Sequence, residues 1–467
     1  MGGVRTLKIR IGNEIRVKDA PKQLQERCRE ELIIPNPEYM DRKRRGLWTG
    51  KTPEYLWLYR IEGDELVLPT GAGKMVSSFL SGTDDISINL ADNGVLEYQD
   101  KMIPLYDYQK AAVEAMRSVS CGILQSPCGS GKTQMGIALA ARISRKTLWV
   151  THTQDLLNQS YERAAQYFPK EFLGKITAGK VQIGTHMTFA TVQTLCKLDL
   201  ERYRNCWDIL IVDECHRLSG TPTQVTMFFK VMNSLAARYK YGLSATVHRS
   251  DGLIQSTFAV LGPVVYQVPD EAVADKTMQV RILQRETGTR AGIGCLDTDG
   301  TLEYSKLMQY LTGNRNRNQT IISDLIENQE HYNLILSDRL EHLKALINGL
   351  PDHLKEQTVM IDGSMTSKKA KAARIQAIED MRKGRKHFLF ASFSLAKEGL
   401  DIPRLDRLYM TTPKKDYAVV TQSIGRIARI FAGKQDAVCY DYVDDIQFCL
   451  NQYKRRRTHY RKAGCIL

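Results

Sequence analysis

The stretch CGILQSPCGSGKTQMGIALAARI, residues 121–143, restricts the possible folds more than any other part of the chain. Cys121 to Leu124 is a short apolar run suited to a buried strand, and Thr133 to Ile143 places apolar side chains at the spacing of a packed helix. Between them lies PCGSGK, whose two glycines are two positions apart. Because a strand, a glycine-rich loop and a helix follow in this order, the stretch predicts an α/β fold with a phosphate-binding loop.

The residue types of this loop suit a nucleoside triphosphate. Glycines let backbone N–H groups approach a phosphate, and the helix amino terminus adds partial positive charge. Lys132 is expected to reach the β- and γ-phosphates, and the Thr133 hydroxyl to bind Mg²⁺. The full pattern begins with Gly where this chain has Ser126, so an ordinary glycine turn before a helix remains the alternative. The predicted nucleotide-binding residues of the loop are Cys128, Gly129, Ser130, Gly131, Lys132 and Thr133.

A second stretch, PTGAGKM at residues 69–75, has nearly the same pattern. Here Met75 stands where the Mg²⁺ ligand belongs, and a thioether is a poor ligand for a hard cation. The following SSFLSGTDD soon interrupts any helix. We therefore interpret PTGAGKM as a turn in an accessory domain, without a nucleotide.

The stretch DILIVDECH, residues 208–216, runs from four apolar residues directly into two acids and a histidine. A buried parallel strand ends in this way at its functional edge. Asp213 is placed to hold Mg²⁺, and Glu214 to orient or deprotonate the attacking water. Alone, such acids usually form a solvated turn; about 80 residues beyond a loop lysine, they predict a site for hydrolysis of the γ-phosphate.

With these motifs in place, the sequence resembles the superfamily 2 helicases and translocases over roughly residues 100–445. DECH resembles their Asp-Glu-x-His motif, and LYDYQKAAV (105–113) resembles the adenine-recognition segment, with Gln109 as base reader and Tyr106 in a stacking role where relatives often have Arg. In YGLSATVHRSDGL (241–253), the resemblance is to XPB-type and phage branch-migration (UvsW-like) helicases more than to DEAD-box RNA helicases. The resemblance assigns coupling of hydrolysis to movement to His216, Ser244 and Thr246.

The same resemblance implies a second α/β lobe that lacks a phosphate loop of its own. Short apolar runs beginning at residues 333, 358, 387, 407 and 437 are typical of buried strands. FASFSLAKEGLDIP (390–403) and TQSIGRIARI (421–430) resemble the fifth and sixth family motifs. Helical spacing predicts that Arg426 and Arg429 share one face and stabilise charge on the γ-phosphate, against the alternative of surface arginines. The remaining residues implied here are Gly399 and Asp401 near the nucleotide and Gln422 in catalysis.

Nucleic-acid contacts are expected from several segments. TLWVTHTQDLLNQ (147–159) and TFATVQTL (188–195) resemble the first-lobe segments that grip the backbone. In the amino-terminal region, DRKRRGLWTGK (41–51) mixes cations with a tryptophan, which suits phosphate pairing and base stacking, although a charged loop with the tryptophan in the core is equally compatible. The candidate contact residues are Thr153, Gln154, Thr191, Gln193, Arg249, Ser392, Arg44, Arg45 and Trp48.

Composition limits the partners and the compartment. The 66 Lys and Arg exceed the 52 Asp and Glu, and the net charge of +14 favours a polyanionic partner such as nucleic acid or an anionic membrane surface. No apolar run approaches the roughly 20 residues that span a bilayer, and the amino terminus lacks a signal-peptide core. The ten cysteines form no C-x-x-C pair, which favours reduced thiols over structural zinc. We expect an intracellular protein, either cytoplasmic or nucleoid-associated, with a phage-encoded protein acting in the host cytoplasm as one alternative, and no membrane partner.

These observations predict two RecA-like lobes with mostly parallel sheets, with ATP and Mg²⁺ in the cleft between them. The expected domains are 1–95, a basic accessory DNA-binding domain; 96–275, the first lobe; 276–330, a connection; 331–450, the second lobe; and 451–467, a basic tail that tracks phosphates or is disordered. The predicted function is ATP-driven remodelling of forked or branched DNA, or of single-stranded and duplex junctions, alongside replication or recombination proteins. The alternatives are an RNA helicase and an ATP-driven nucleic-acid sensor without strand separation. The short stretch after the sixth motif disfavours a nuclease-bearing restriction subunit.

Overall fold

The computed structural model describes residues 6–98, 103–127, 129–222, 224–247, 252–292, 295, 302–363, 368–397 and 400–467. The chain forms two compact units. The first comprises Met1–Pro127 and Gly131–Pro269, and the second comprises Cys128–Ser130 and Asp270–Leu467. The first unit contains both the accessory domain and the first lobe. Each unit is described by itself below.

The accessory domain is built on a five-stranded sheet in the order β5-β6-β2-β1-β7, with a separate β3-β4 pair. Alternating side chains in β1 and β2 put Ile9, Ile15 and Val17 into the domain core, as the alternation in TLKIRIG and EIRVKD predicts. Its strands are β1 (Lys8–Ile11), β2 (Glu14–Lys18), β3 (Ile33–Pro35), β4 (Tyr55–Trp57), β5 (Arg60–Glu62), β6 (Glu65–Pro69) and β7 (Asp85–Ile88); its helices are α1 (Lys22–Glu31), α2 (Pro37–Arg44) and α3 (Gly73–Ser77).

The first lobe is an eight-stranded sheet in the order β11-β10-β12-β9-β13-β14-β8-β15, parallel except for the β10–β11 pair. Its strands are β8 (Cys121–Gln125), β9 (Thr147–Thr151), β10 (Leu173–Thr177), β11 (Lys180–Val181), β12 (Met187–Thr191), β13 (Ile209–Asp213), β14 (Tyr239–Ser244) and β15 (Val264–Gln267). Its helices are α4 (Asp107–Arg117), α5 (Lys132–Ile143), α6 (Gln154–Ala164), α7 (Val192–Leu195), α8 (Met227–Ser234) and α9 (Ile254–Leu261).

The second unit is a six-stranded, all-parallel sheet in the order β16-β21-β20-β17-β19-β18. Its strands are β16 (Val280–Arg290), β17 (Asn333–Ser337), β18 (Thr358–Ile361), β19 (Phe388–Ser392), β20 (Arg407–Met410) and β21 (Ala437–Asp445). Its helices are α10 (Tyr304–Gly313), α11 (Arg315–Glu327), α12 (Leu340–Gly349), α13 (Asp352–Lys355), α14 (Lys368–Arg382), α15 (Phe393–Lys397), α16 (Tyr417–Ile427) and α17 (Gln447–Lys462).

Both parallel sheets are buried on their two faces, which explains the continuous apolar runs of their strands. In β17, Leu334 and Leu336 pack in one core cluster, while Ile335 between them packs in another. Successive side chains of a strand point to opposite faces, so the two clusters cover opposite sides of the sheet. The predicted α/β fold with mostly parallel sheets and an amino-terminal accessory domain is confirmed.

Two predicted boundaries require correction. Residues 276–330, predicted as a connection, supply β16, α10 and α11 of the second unit, and β16 pairs along most of its length with β21. This pairing joins residues about 155 positions apart, so no local pattern announces it. The predicted basic tail at 451–467 falls largely in α17, where Tyr453, Arg456 and Tyr460 are buried, so a disordered end is excluded.

Within the described ranges, no helix combines the length and the apolar character needed to cross a lipid bilayer. Each cysteine that the structure describes is a free thiol.

Candidate nucleotide and nucleic-acid site

The phosphate loop connects β8 to α5, as predicted. Gly129 and Gly131 have φ values of 85° and 82°, a left-handed conformation that side chains with a Cβ rarely adopt. Gly131 is also the residue immediately before the first turn of α5, so the glycine turn leads directly into a helix amino terminus. The Lys132 ammonium donates to the Ser126 carbonyl oxygen at 3.3 Å. Ser126, which replaces the usual first glycine, is thus the residue whose backbone holds the lysine.

The predicted base reader lies against this loop. Gln109 is buried, and its Oε1 accepts a hydrogen bond from the Tyr106 backbone N–H at 2.9 Å. A Cβ on Gly131 would lie 2.6 Å from Gln109 Nε2, so the glycine backbone packs directly against the amide. Tyr106 is 53% exposed, and its ring stacks on Tyr108 with centroids 5.9 Å apart. An exposed ring next to a fixed amide can stack on and recognise a purine base.

The predicted carboxylates follow β13, which lies two strands from β8 in the same sheet. Burial and the neighbouring Glu214 raise the pKa of Asp213 to about 7, and Lys132 opposes this rise. Lys132 is therefore near enough to act electrostatically on Asp213. A buried carboxylate and the Thr133 hydroxyl supply the hard oxygen ligands that Mg²⁺ prefers, so these residues fit the ion.

The predicted coupling residues form one hydrogen-bonded group. His216 Nδ1 lies 2.9 Å from Ser244 Oγ, and the Ser244 hydroxyl donates to the Thr246 carbonyl oxygen at 2.6 Å. Glu214 Oε2 lies 3.3 Å from the same His216 nitrogen. The group joins the end of β13 to the end of β14, so a movement of the Glu214 carboxylate can be transmitted to the second strand.

The first-lobe nucleic-acid candidates occupy the other half of the same sheet edge. Thr153 and Thr191 follow the adjacent strands β9 and β12, and each caps the next helix by accepting a backbone N–H at 3.3 Å. Gln154 and Gln193 are exposed, and Gln193 Nε2 donates to the His152 carbonyl oxygen at 2.8 Å. Two helix amino termini and two exposed amides therefore lie along one edge, an arrangement suited to phosphate groups.

The stretch PTGAGKM is a docking element instead of a simple turn. It forms the end of β6, a 3-10 turn at Thr70–Ala72 and the start of α3, with Met75 buried and Lys74 exposed. Thr70 Oγ1 donates to the Val260 carbonyl oxygen of α9 at 3.2 Å. A Cβ on Gly71 would lie 2.4 to 2.6 Å from backbone atoms of residues 258–262. Its glycines thus permit backbone packing between accessory domain and first lobe.

The second-lobe arginines differ from their prediction. Helix α16 ends at Ile427, so Arg426 is in its last turn and Arg429 lies beyond it; the two do not share a helix face. Arg426 Nη1 donates to the Leu400 carbonyl oxygen at 3.0 Å, and Arg429 forms an ion pair with Asp401. In the sequence, the isoleucine and alanine around Arg429 continue the helical pattern. In the structure, Arg429 instead forms an isolated β-bridge with Thr277, which no local pattern predicts.

The other second-lobe candidates lie on the same unit. Ser392 ends β19, and its hydroxyl lies 2.9 Å from that of Ser394. Gln422 is buried in α16. Cys128, Arg249 and Gly399 fall outside the described residues.

The accessory-domain candidates lie at the end of α2 and in the following loop, and Lys43 of α2 pairs at 3.8 Å with Glu54, the residue before β4. Trp48 is 83% exposed, so it does not belong to the core. Arg44 and Arg45 both pair with Asp41, at 2.5 and 2.9 Å. Sequence reasoning missed Tyr55 and Trp57, which are 48% and 44% exposed; their period-two spacing in β4 is the signal that places them on one face.

Comparisons with known proteins agree with this geometry. Residues 102–249 match the family described as "Type III restriction enzyme, res subunit", and residues 305–431 match "Helicase conserved C-terminal domain". The folded chain is similar to "S. cerevisiae Dbp5 bound to RNA and ADP BeF3", with a TM-score of 0.55 and 16% identity, covering 77% of this chain and 88% of that one. This likeness concerns the fold and supports two RecA-like lobes.

Three relatives are similar in sequence. The chain is 27% identical over 363 residues to "Putative ATP-dependent RNA helicase L396" of Acanthamoeba polyphaga mimivirus, covering 75% of this chain and 65% of the relative, just under two thirds of its length. It is 26% identical over 343 residues to "Probable helicase D10" of Escherichia phage T5, covering 73% and 72%. It is 31% identical over 201 residues to "DNA 3'-5' translocase XPB2" of Sulfurisphaera tokodaii, covering 42% and 43%. The chain belongs to superfamily 2 of the helicases and translocases.

Proposed function

We propose that the chain is an ATP-hydrolysing DNA helicase or translocase that remodels forked and branched DNA. ATP is the substrate, held by the glycine loop, Lys132 and Gln109. Bound Mg²⁺ would neutralise phosphate charge and would be held by Thr133 and Asp213. Glu214 orients or deprotonates the attacking water, and Arg426 and Arg429 stabilise the charge that develops on the γ-phosphate.

The proposal that the substrate is forked or branched DNA rests on one observation. The accessory domain, which has an exposed aromatic surface, is attached to the first lobe by hydrogen bonds and close backbone packing. Arg204 Nη2 donates to Asn13 Oδ1 and Asn13 Nδ2 donates to the Asn233 carbonyl oxygen, both at 2.6 Å. Together with Thr70 and Gly71 on α9, these contacts hold the accessory domain on the lobe that contains the phosphate loop. A strand or junction bound at Trp48 would therefore move with that lobe during the ATP cycle.

The chemistry of that surface suits a site where paired and unpaired strands meet. Exposed rings of Trp48, Tyr55 and Trp57 can stack on unpaired bases, and the cations of α2 can contact phosphates. Those cations are engaged in exposed ion pairs, such as Arg42 with Glu38 at 2.9 Å. Exposed ion pairs stabilise by about 0.2–1 kcal/mol, so a phosphate can replace the carboxylate at low cost.

An RNA substrate is the second candidate, because one relative is named an RNA helicase and the structural neighbour was determined with RNA. The DNA assignment is supported by the resemblance of residues 241–253 to XPB-type helicases and by the relative named a DNA translocase. The lobe motifs are shared by both classes, so substrate preference needs a direct measurement.

The test compares ATPase stimulation by forked DNA and forked RNA of equal length, followed by unwinding of forks, bubbles and four-way junctions. We expect stronger stimulation by DNA and strand displacement on forks and junctions. Stronger stimulation by RNA would assign the enzyme to RNA. Stimulation without displacement on any structure would make it a sensor and would contradict the helicase assignment.

A further inference from the structure

Helix α17 is the second candidate surface for nucleic acid, separate from the motifs used above. Its sequence, QFCLNQYKRRRTHYRK, contains six Lys or Arg residues and no Asp or Glu. A helix with this composition cannot neutralise its charge through pairs one turn apart. Its cations are therefore divided by the fold between two faces with different surroundings.

The inner face fixes the helix to the lobe. Arg456 is 1% exposed and donates to both carboxylate oxygens of Asp441 at 2.8 Å. The Tyr460 hydroxyl donates to Asp441 Oδ2 at 2.6 Å, and Arg456 also donates to the Lys414 carbonyl oxygen at 2.8 Å. Charge-assisted bonds of this kind, made by buried groups, hold the orientation of the helix. The outer face is thereby presented in a fixed direction.

The outer face of α17 over residues 454–462 is cationic and polar. At 3.6 residues per turn, its cations lie within an arc of about 160°, opposite the buried residues. None of them forms an ion pair with a carboxylate of the described chain. The outward cations, all exposed, are Lys454, Arg455, Arg457, Arg461 and Lys462.

On other helices of this unit, exposed cations form ion pairs with carboxylates of the same helix. Lys344 pairs with Glu341 at 2.7 Å, and Lys355 pairs with Asp352 at 2.9 Å, each one turn away. The loop beside α17 contributes a further cation. The His459 ring donates to the Lys415 carbonyl oxygen at 3.0 Å, which places Lys415 next to the helix, and the Lys415 side chain is exposed. The α17 surface, defined as Lys415 and the five outward cations, thus forms no ion pair with a carboxylate of the described residues.

The residue types on this surface indicate which kind of nucleic acid it can bind. Single-strand binders combine cations with aromatic side chains on which bases stack. The aromatic residues near the end of α17, Tyr453 and Tyr460, are both buried on the inner face. His459 and Tyr417, beside this face, are half-buried and pack edge to face against each other, so the outer face mainly offers cations for phosphates, which suits a duplex whose bases are stacked inside.

We propose that the α17 surface binds the phosphate backbone of duplex nucleic acid. Lys454, Arg457 and Arg461 form a row that spans about 10 Å along the helix axis, which equals the axial rise of about three nucleotides of one strand. The row can therefore neutralise consecutive phosphates while Arg455 and Lys462 flank it. This inference rests on the proposed function in one respect, that nucleic acid is the substrate.

The test is a triple variant of the full chain, Lys454→Gln, Arg457→Gln and Arg461→Gln, titrated with a blunt 20-base-pair DNA duplex over a range of salt concentrations. We expect a loss of duplex affinity of about tenfold or more, and a salt slope lower by about one for each contact removed. Affinity for single-stranded DNA should stay within about twofold, because the exposed rings of the accessory domain are untouched.

The matched control is Lys344→Gln, Lys355→Gln and Lys383→Gln, which removes the same charge from paired cations and should leave the salt slope unchanged. Equal melting temperatures of both variants show intact folding. An unchanged duplex slope, an equal loss on single strands, or binding only to anionic phospholipid vesicles would each overturn the proposal. Stimulation of the ATPase by single-stranded DNA reports on the proposed function separately, so its absence would refute that function and leave the duplex titration interpretable.

Discussion

His216 and Ser244 are joined by a 2.9 Å hydrogen bond, although 28 residues separate them in the chain. The Ser244 hydroxyl already donates its one hydrogen to the Thr246 carbonyl oxygen, so His216 must donate from Nδ1. The tautomer of the histidine is thus set by the strand end that follows it. Glu214 Oε2 lies 3.3 Å from the same His216 nitrogen, so His216 stands between the Glu214 carboxylate and the end of β14.

Ser244→Ala removes this link while leaving the phosphate loop intact. We expect ATP hydrolysis to stay near the wild-type rate and fork unwinding to fall about tenfold, within the usual range for coupling between sites. Stopped-flow unwinding and steady-state ATPase on the same fork provide the comparison. Ser256→Ala, at another buried serine of the first lobe, serves as the control. Parallel losses of both rates in Ser244→Ala would assign the serine to hydrolysis itself.

Glu214→Gln separates binding from chemistry. The amide keeps the size and polarity of the side chain but cannot accept a proton from water. Hydrolysis should fall about 100-fold or more, the usual contribution of a general base, while a direct ATP titration should give nearly the wild-type affinity. Loss of ATP binding in that titration would show that Glu214 supports the loop structurally.

The accessory surface is tested by changing Arg42, Lys43, Arg44, Arg45 and Trp48 to Ala. All five side chains lie outside the accessory core, so folding should survive. We expect weaker binding to forks, a flatter salt dependence and a loss of unwinding larger than the loss of ATPase at saturating single-stranded DNA.

Lys18→Gln with Arg27→Gln, two exposed ion-paired cations elsewhere in the accessory domain, is the control for charge alone. A charge-only variant that keeps Trp48 distinguishes stacking from phosphate contacts. If this charge-only variant unwinds forks normally with an unchanged salt slope, the cations of residues 42–45 take no part in recognising the fork.

Lys240 gives a pH-dependent prediction for stability. Burial lowers its pKa from 10.5 to about 8, although its ammonium donates to the Met232 carbonyl oxygen at 2.8 Å. Protonation of Lys240 is therefore less favourable in the folded state than in the unfolded chain. Below about pH 8 this lowers the free energy of unfolding by up to about 3 kcal/mol, and the loss disappears as the pH rises towards 10.5. Wild-type stability should rise relative to that of Lys240→Met across this window. A constant difference in denaturant titrations would contradict the assignment.

Local patterns predicted which elements carry the first-lobe motifs, because each motif is short and lies at or just after the end of a strand. Asp213 ends β13, and Lys132 begins the helix that follows β8, so the parallel sheet brings the two side chains to the same edge. The pairing of β16 with β21 and the end of α16 before Arg429 depend on long-range contacts, which no local pattern encodes.

The basic stretches of the sequence contain both buried and exposed cations, and composition alone does not distinguish them. Tyr453, Arg456 and Tyr460 have the spacing of one helix face, and this signal could have separated the buried arginine from its exposed neighbours. Arg317, in the stretch GNRNRNQ (313–319), is fully buried and donates to Asp444 at 2.7 Å. Burial of a cation requires a partner, here one distant in sequence, so residue type alone does not reveal it.

The most direct measurement is ATP-dependent unwinding of forked DNA by Lys132→Ala and Lys74→Ala side by side. The two lysines occupy similar glycine-rich stretches, but Lys132 begins α5 beside Asp213, while Lys74 is exposed on a stretch that packs against α9. We expect Lys132→Ala to lose ATPase and unwinding, and Lys74→Ala to retain both near the wild-type rates. Unwinding by Lys132→Ala, or a loss of hydrolysis in Lys74→Ala alone, would contradict the assignment of the nucleotide site.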